Sequence, residues 1–200
     1  MVSATSSGLM DREGPSDSVP LPVKIIVAGG YAVGKTTFVS AISEIEPLRT
    51  EAALTSVSSG IDNEGQANAK TSTTVAMDFG RVGLGGDMVL YLFGTPGQER
   101  FRFMWEDLVR GAIGAVVLLD TQRFEDSFSA VEFFEKAKVP FVVAINTFHG
   151  RLHHSIAAVR EGLDLAPTVP ILTTDARDRE LTKSTLIALV EHALIEVQRG

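Results

Sequence analysis

Apolar and polar positions follow two rhythms along this chain. Short continuous apolar runs, as in strands buried on both faces, occur in VKIIVAG (23–29), AIGAVVLLD (112–120), PFVVAIN (140–146) and VPILTTD (169–175). Helical spacing lies between them: Phe38, Ile42 and Ile45 after the first run, then patterned stretches over 98–109, 124–138, 152–163 and 180–197. In the last stretch Ile187, Val190, Leu194 and Val197 make one apolar stripe. TTVAMDFGRV (73–82) and MVLYLFG (88–94) are β-rich, and the GLGGD between them suits a tight turn, which predicts an antiparallel hairpin. Residues 46–72 show no period and read as a long loop, and residues 1–20, rich in Ser, Gly, Pro and charge, read as a disordered tail. Strands alternating with helices predict one α/β domain over residues 21–200, a mostly parallel sheet with helices on both faces.

Composition narrows the function classes. Hydrophobic residues make up 44% of the chain, enough to build a core. Twenty-five acidic against 18 basic side chains give a net charge of -7, which argues against a general nucleic-acid binder. The absence of cysteine excludes disulfides, thiolate metal sites and thiol nucleophiles. The apolar runs fall far short of the ~20 residues of a spanning helix. The N-terminus lacks the basic-then-apolar order of a signal peptide. Val2 and the cysteine-free C-terminus leave no myristoylation or prenylation site. These features predict a cytoplasmic protein with no membrane anchor of its own, recruited to a membrane only through a partner.

The chemistry is concentrated after the first strand. Gly29-Gly30-Tyr31-Ala32-Val33-Gly34-Lys35-Thr36 satisfies G-x-x-x-x-G-K-[ST], continues into Thr37, and lies between a predicted strand and a predicted helix. Glycines let successive N–H groups wrap an oligophosphate, and the helix N-terminus adds partial positive charge. Lys35 is expected at the β- and γ-phosphates and the Thr36 hydroxyl on Mg²⁺. A glycine turn that merely closes a βα unit needs neither the lysine nor the hydroxyl.

Residues 92–101, LFGTPGQERF, follow the hairpin and resemble the second switch of the Ras-like small GTPases. That resemblance, in order and spacing from Val23 onward, implies a P-loop NTPase of the Ras-like G-domain type. Its sheet would have six strands, one of them antiparallel, and its ligands would be GTP or GDP with Mg²⁺. It implies that the Gly97 N–H meets a γ-phosphate and that Gln98 orients the attacking water, with Lys35 stabilising charge. Thr74 matches the first-switch threonine, whose hydroxyl completes the Mg²⁺ shell beside Thr36. The FGTPGQ string and the closing LIALVEHAL (186–194) also resemble bacterial MglA-type GTPases and those of actinobacterial conservons. This second likeness implies a nucleotide-dependent signalling switch working with a roadblock-type regulator and a sensor kinase-like protein.

Three departures from the Ras-like pattern bear on mechanism. Gly94 stands where the family carries the aspartate that holds Mg²⁺ through water, with Asp78 and Asp120 as the candidate substitutes. Tyr31 replaces a glycine beside the γ-phosphate. A phenol there either crowds Gln98 and any partner arginine, predicting slow turnover, or points into solvent and changes nothing. Asn146-Thr147-Phe148-His149 stands where the family shows N-K-x-D: Asn146 is kept, Thr147 replaces the lysine along the base, and His149 replaces the aspartate. A neutral imidazole has one acceptor nitrogen and cannot take both guanine donors, which relaxes base choice. Thr174-Asp175-Ala176-Arg177 resembles the last base-binding box, where the Ala176 N–H would meet the guanine 6-oxygen beside Arg177. GTP is therefore expected, with ATP a live competitor.

Other signals are weaker. The spacing of His149 and His153 suits a metal only if a helix begins before His149, and Gly150 argues against it. Phe101, Met104 and Trp105 keep near-helical spacing and are expected in the core, leaving Arg100, Arg102 and Phe103 for a partner surface. Two rival functions remain: a nucleotide-binding scaffold that scarcely hydrolyses, and a metabolic P-loop kinase. The kinase would need a basic lid, for which the long first loop offers only Arg49 and Lys70.

Overall fold

The computed structural model describes residues 19–46, 48–55, 72–85, 87–147 and 150–199, with backbone only for 48–55, 72–76 and 99. Its centre is a seven-stranded sheet in the order β2-β3-β4-β1-β5-β6-β7. The strands are β1 (Leu21–Gly29), β2 (Leu48–Thr55), β3 (Ser72–Gly83), β4 (Met88–Gly94), β5 (Gly114–Leu119), β6 (Phe141–Asn146) and β7 (Ile171–Thr174). β3 runs antiparallel to both its neighbours, and β4, β1, β5, β6 and β7 are parallel. The expected α/β fold with one antiparallel strand stands, but the strand count is seven rather than six. β2 is the addition: its LRTEAALT lies in the stretch read as loop, yet pairs with β3 from Leu48–Phe79 to Thr55–Ser72. Most of the expected N-terminal tail lies outside the described residues.

The sheet is buried on both faces because the inner parts of its central strands, 25–29, 114–119 and 141–145, are apolar throughout. Ile25 and Val27 of β1 join one core, and Ile26 and Ala28 the other. Helices α1 (Lys35–Ile42) and α5 (Arg179–Arg199) cover the first face, where Phe38, Val39, Leu186 and Leu189 are buried. The short α2 (Trp105–Leu108), α3 (Phe128–Ala137) and α4 (Ile156–Gly162) cover the second, with Trp105, Phe134 and Val159 inside. Three local expectations change. The helix expected over 98–109 is instead a 3-10 turn (Glu99–Met104) followed by one turn of α-helix, because Phe101 and Trp105 anchor it to the core. α4 starts at Ile156 rather than Leu152, since the Ser155 hydroxyl caps it by accepting the Ala158 N–H. The apolar stripe on α5 faces outward: Ile187, Leu194 and Val197 are 49%, 58% and 77% exposed. The buried face is Thr182, Thr185, Leu186, Leu189, His192 and Ala193. That helix carries apolar residues on both sides, so spacing alone selects the wrong one.

Candidate functional site: a phosphate-binding cradle

Five loops meet at the carboxyl ends of the parallel strands, beside β1, where the strand order reverses. In open α/β sheets that crevice is where ligands bind. The loop leaving β1 is shaped by left-handed residues: Gly29 has φ 136°, Ala32 φ 58° and Gly34 φ 108°. Gly34 N-caps α1 without a side chain of its own, so the first N–H groups of the helix face the crevice. A Cβ at Gly34 would lie 2.6 Å from Asn146 Nδ2. Glycine is thus required there both by φ and by the approach of the β6 loop.

Lys35 is 8% exposed. Its ammonium donates to the Gly29 and Gly30 carbonyls at 3.0 and 2.7 Å. Burial lowers its pKa from 10.5 to about 8, with Asp78 pulling it up and Arg123 pushing it further down. The ammonium stands under a cavity of about 510 Å³ lined by Tyr31, Lys35, Thr36, Asp78, Thr95 and Gly97, among others. Pockets for small ligands are commonly ~300–1,000 Å³. Thr95 is 3% exposed and its hydroxyl has no hydrogen-bond partner among the described residues. An unpaired buried hydroxyl costs about 1–3 kcal/mol, a debt that a polar ligand in this cavity would remove. Thr36 donates its hydroxyl proton to Asp78 Oδ2 at 2.6 Å, so two hard oxygens stand together at the cavity wall. They fit Mg²⁺, which takes one or two protein oxygens and completes its shell from phosphate and water.

The loop after β4 closes over the loop after β1. A Cβ at Gly97 would meet Lys35 Nζ at 2.7 Å, the Tyr31 Cα at 2.9 Å and the Gly30 carbonyl at 3.1 Å. Gly97 and Gln98 also line an outer cavity of about 450 Å³ with Tyr31, Arg102, Trp105 and Asp126. Tyr31 is 66% exposed, yet it shares that wall with Gln98. Asp126 was not legible as a site residue: it lies over Gly30, where a Cβ would be 2.6 Å from its own, and its Oδ2 is 4.0 Å from Arg123. The one available signal for this pair was its place after the carboxyl end of a central strand.

The chain belongs with proteins already recognised as related. A family model described as "conserved hypothetical ATP binding protein" matches residues 27–196. The chain belongs to this family. It is also 32% identical over 126 residues to an uncharacterized protein of Methanocaldococcus jannaschii, covering 62% of this chain and 69% of that protein. The Ras-related protein Rab-3A of Homo sapiens is 30% identical over 132 residues, 66% of this chain and 52% of Rab-3A. Among solved structures, the FeoB G domain from Methanococcus jannaschii has TM-score 0.56 at 11% identity, covering 86% of this chain and 98% of that one. The chain is thus similar to a Ras-related protein over about half of that protein's length, and its fold is like that of a G domain.

In this family member the loop after β7 is tied to the loop after β1 by one residue. Asn146 donates from Nδ2 to the Val33 carbonyl at 2.8 Å and accepts the Ala176 N–H on Oδ1 at 3.1 Å. The Ala176 N–H, expected at a base oxygen, is here donated to Asn146. Thr147 donates its hydroxyl to the Thr174 carbonyl at 3.0 Å. Arg177 is held by Asp175 at 2.6 Å, with both side chains at the surface edge of the site. His149 lies outside the described residues, as does the Thr74 side chain, whose backbone pairs with Ala53 near the head of β3. Asp120 accepts the Gln122 N–H and the Arg123 guanidinium, so it serves its own turn and leaves the Thr36 hydroxyl to Asp78.

Proposed function

We propose that this protein is a nucleotide-dependent switch that binds a nucleoside triphosphate with Mg²⁺ and hydrolyses it slowly. The observation that carries this reading is the buried Lys35 ammonium, held on main-chain carbonyls beneath a 510 Å³ cavity that also exposes Thr36 and Asp78. When phosphates enter, Lys35 exchanges carbonyl oxygens for phosphate oxygens, and the α1 N–H groups take the rest. Mg²⁺ would neutralise developing charge between the phosphates. Gly97 is already against the loop, so its N–H reaches a γ-phosphate without a large approach, and Gln98 begins beside it. Tyr31 occupies the wall from which a partner's arginine would enter, which supports low turnover.

GTP is the base we infer from the Ras-like likeness. ATP is the second reading, favoured by the family's description and by Thr147, whose hydroxyl is engaged by the Thr174 carbonyl where the Ras-like pattern has a lysine. From the FGTPGQ string we infer MglA-type or conservon kinship, a cytoplasmic site of action, and a roadblock-type regulator with a sensor kinase-like protein as partners. Single-turnover phosphate release tests the switch. It should exceed the rate of free GTP in buffer and fall at least about tenfold in Gln98→Leu, as befits a water-positioning group. A rate no greater than buffer would leave a nucleotide-binding scaffold instead.

A further inference from the structure

The residue that holds Mg²⁺ in Ras-like relatives sits where this chain has Gly94, at the end of β4. β4 pairs there with β3, and Gly94 stands opposite Asp78. A Cβ built on Gly94 would lie 3.0 Å from the Asp78 Cβ and 3.2 Å from Oδ2. Those separations are tighter than ordinary van der Waals contact. A side chain at 94 would crowd Asp78 and require it to give way by a few tenths of an ångström, so the carboxylate from β3 stands beside the space that one from β4 would use. Asp78 also receives the Thr36 hydroxyl proton at 2.6 Å, which leaves the Thr36 lone pairs free for a cation. Both residues line the same cavity as the buried, unpartnered Thr95 hydroxyl. We propose that Asp78 is the carboxylate that secures Mg²⁺ in this protein, transferred from β4 to the neighbouring strand. The proposal rests on the reading that the cavity takes a Mg²⁺-bound nucleotide. It makes metal retention a property of the strand that also carries Thr74, rather than of the strand leading into Gln98.

The test is the Mg²⁺ dependence of fluorescent GDP and GTP release from the full chain, with Mn²⁺ electron paramagnetic resonance as a direct readout of the metal. Asp78→Asn keeps the shape of the side chain and should raise the Mg²⁺ concentration for half-maximal retention about 10–100-fold. Its affinity in EDTA should stay near wild type. The exchange Asp78→Gly with Gly94→Asp returns the carboxylate to β4 and should recover most of the loss. Asp120→Asn should leave the Mg²⁺ requirement unchanged. The proposal is overturned by an Asp78→Asn protein with the wild-type Mg²⁺ requirement. It is equally overturned by an equal loss with and without metal, which marks a structural hydrogen bond. If the wild-type chain binds no nucleotide in either buffer, the underlying reading fails and takes this one with it.

Discussion

Lys35 and Asn146 govern the site at the scale of single residues. Replacing Lys35 by alanine removes charge-assisted bonds worth about 1.5–3 kcal/mol, so triphosphate affinity should fall at least about tenfold in a titration. The lowered pKa gives this contact a pH signature. The free folded protein releases the Lys35 proton near 8 whereas the unfolded chain keeps it to about 10.5, so stability rises with pH between those values. Phosphate binding needs the charged form, so nucleotide affinity should fall as pH rises through about 8, and an affinity flat from pH 7 to 9 would contradict the assignment. Asn146→Ala strands the Val33 carbonyl and the Ala176 N–H, both buried in the joint between loops. At about 1–3 kcal/mol for each unpaired group, the melting temperature should drop by about 4 °C or more. The phosphate loop was legible because its residues are contiguous. Asp78 was legible only as one of two candidates, because its pairing with Gly94 depends on strand register.

The elements divide the same way. β1, β5 and β6 announced themselves through short apolar runs, broken only by Lys24 near the start of β1, since both their faces are covered. β2 did not: LRTEAALT has few β-branched or aromatic residues and sits at the sheet edge, where pairing with β3 decides its conformation. α5 was found, but the apolar stripe read from its spacing is exposed, and its buried face carries Thr182, Thr185 and His192 among apolar residues. Urea unfolding checks that orientation. Leu189→Ala on the buried face should cost about 2–5 kcal/mol, while Leu194→Gln on the outer face should change stability by less than about 0.5 kcal/mol. Equal costs would mean that the helix packs by its other side.

For the molecule as a whole, the loops after β1, β4, β5, β6 and β7 converge on one crevice, and Asn146 joins its two ends. Among the described residues no helix is long and apolar enough to cross a membrane. In the proposed function this crevice grips a triphosphate tail through Lys35 and the α1 N-terminus. Displacement of fluorescent GTP by unlabelled GTP, GDP, ATP and XTP, on the wild-type chain and on Lys35→Ala, tests it most directly. The expected result is saturable, Mg²⁺-dependent binding to the wild type that GTP displaces better than ATP, weakened at least about tenfold in the variant. Absent binding, or binding indifferent to Lys35, would contradict it.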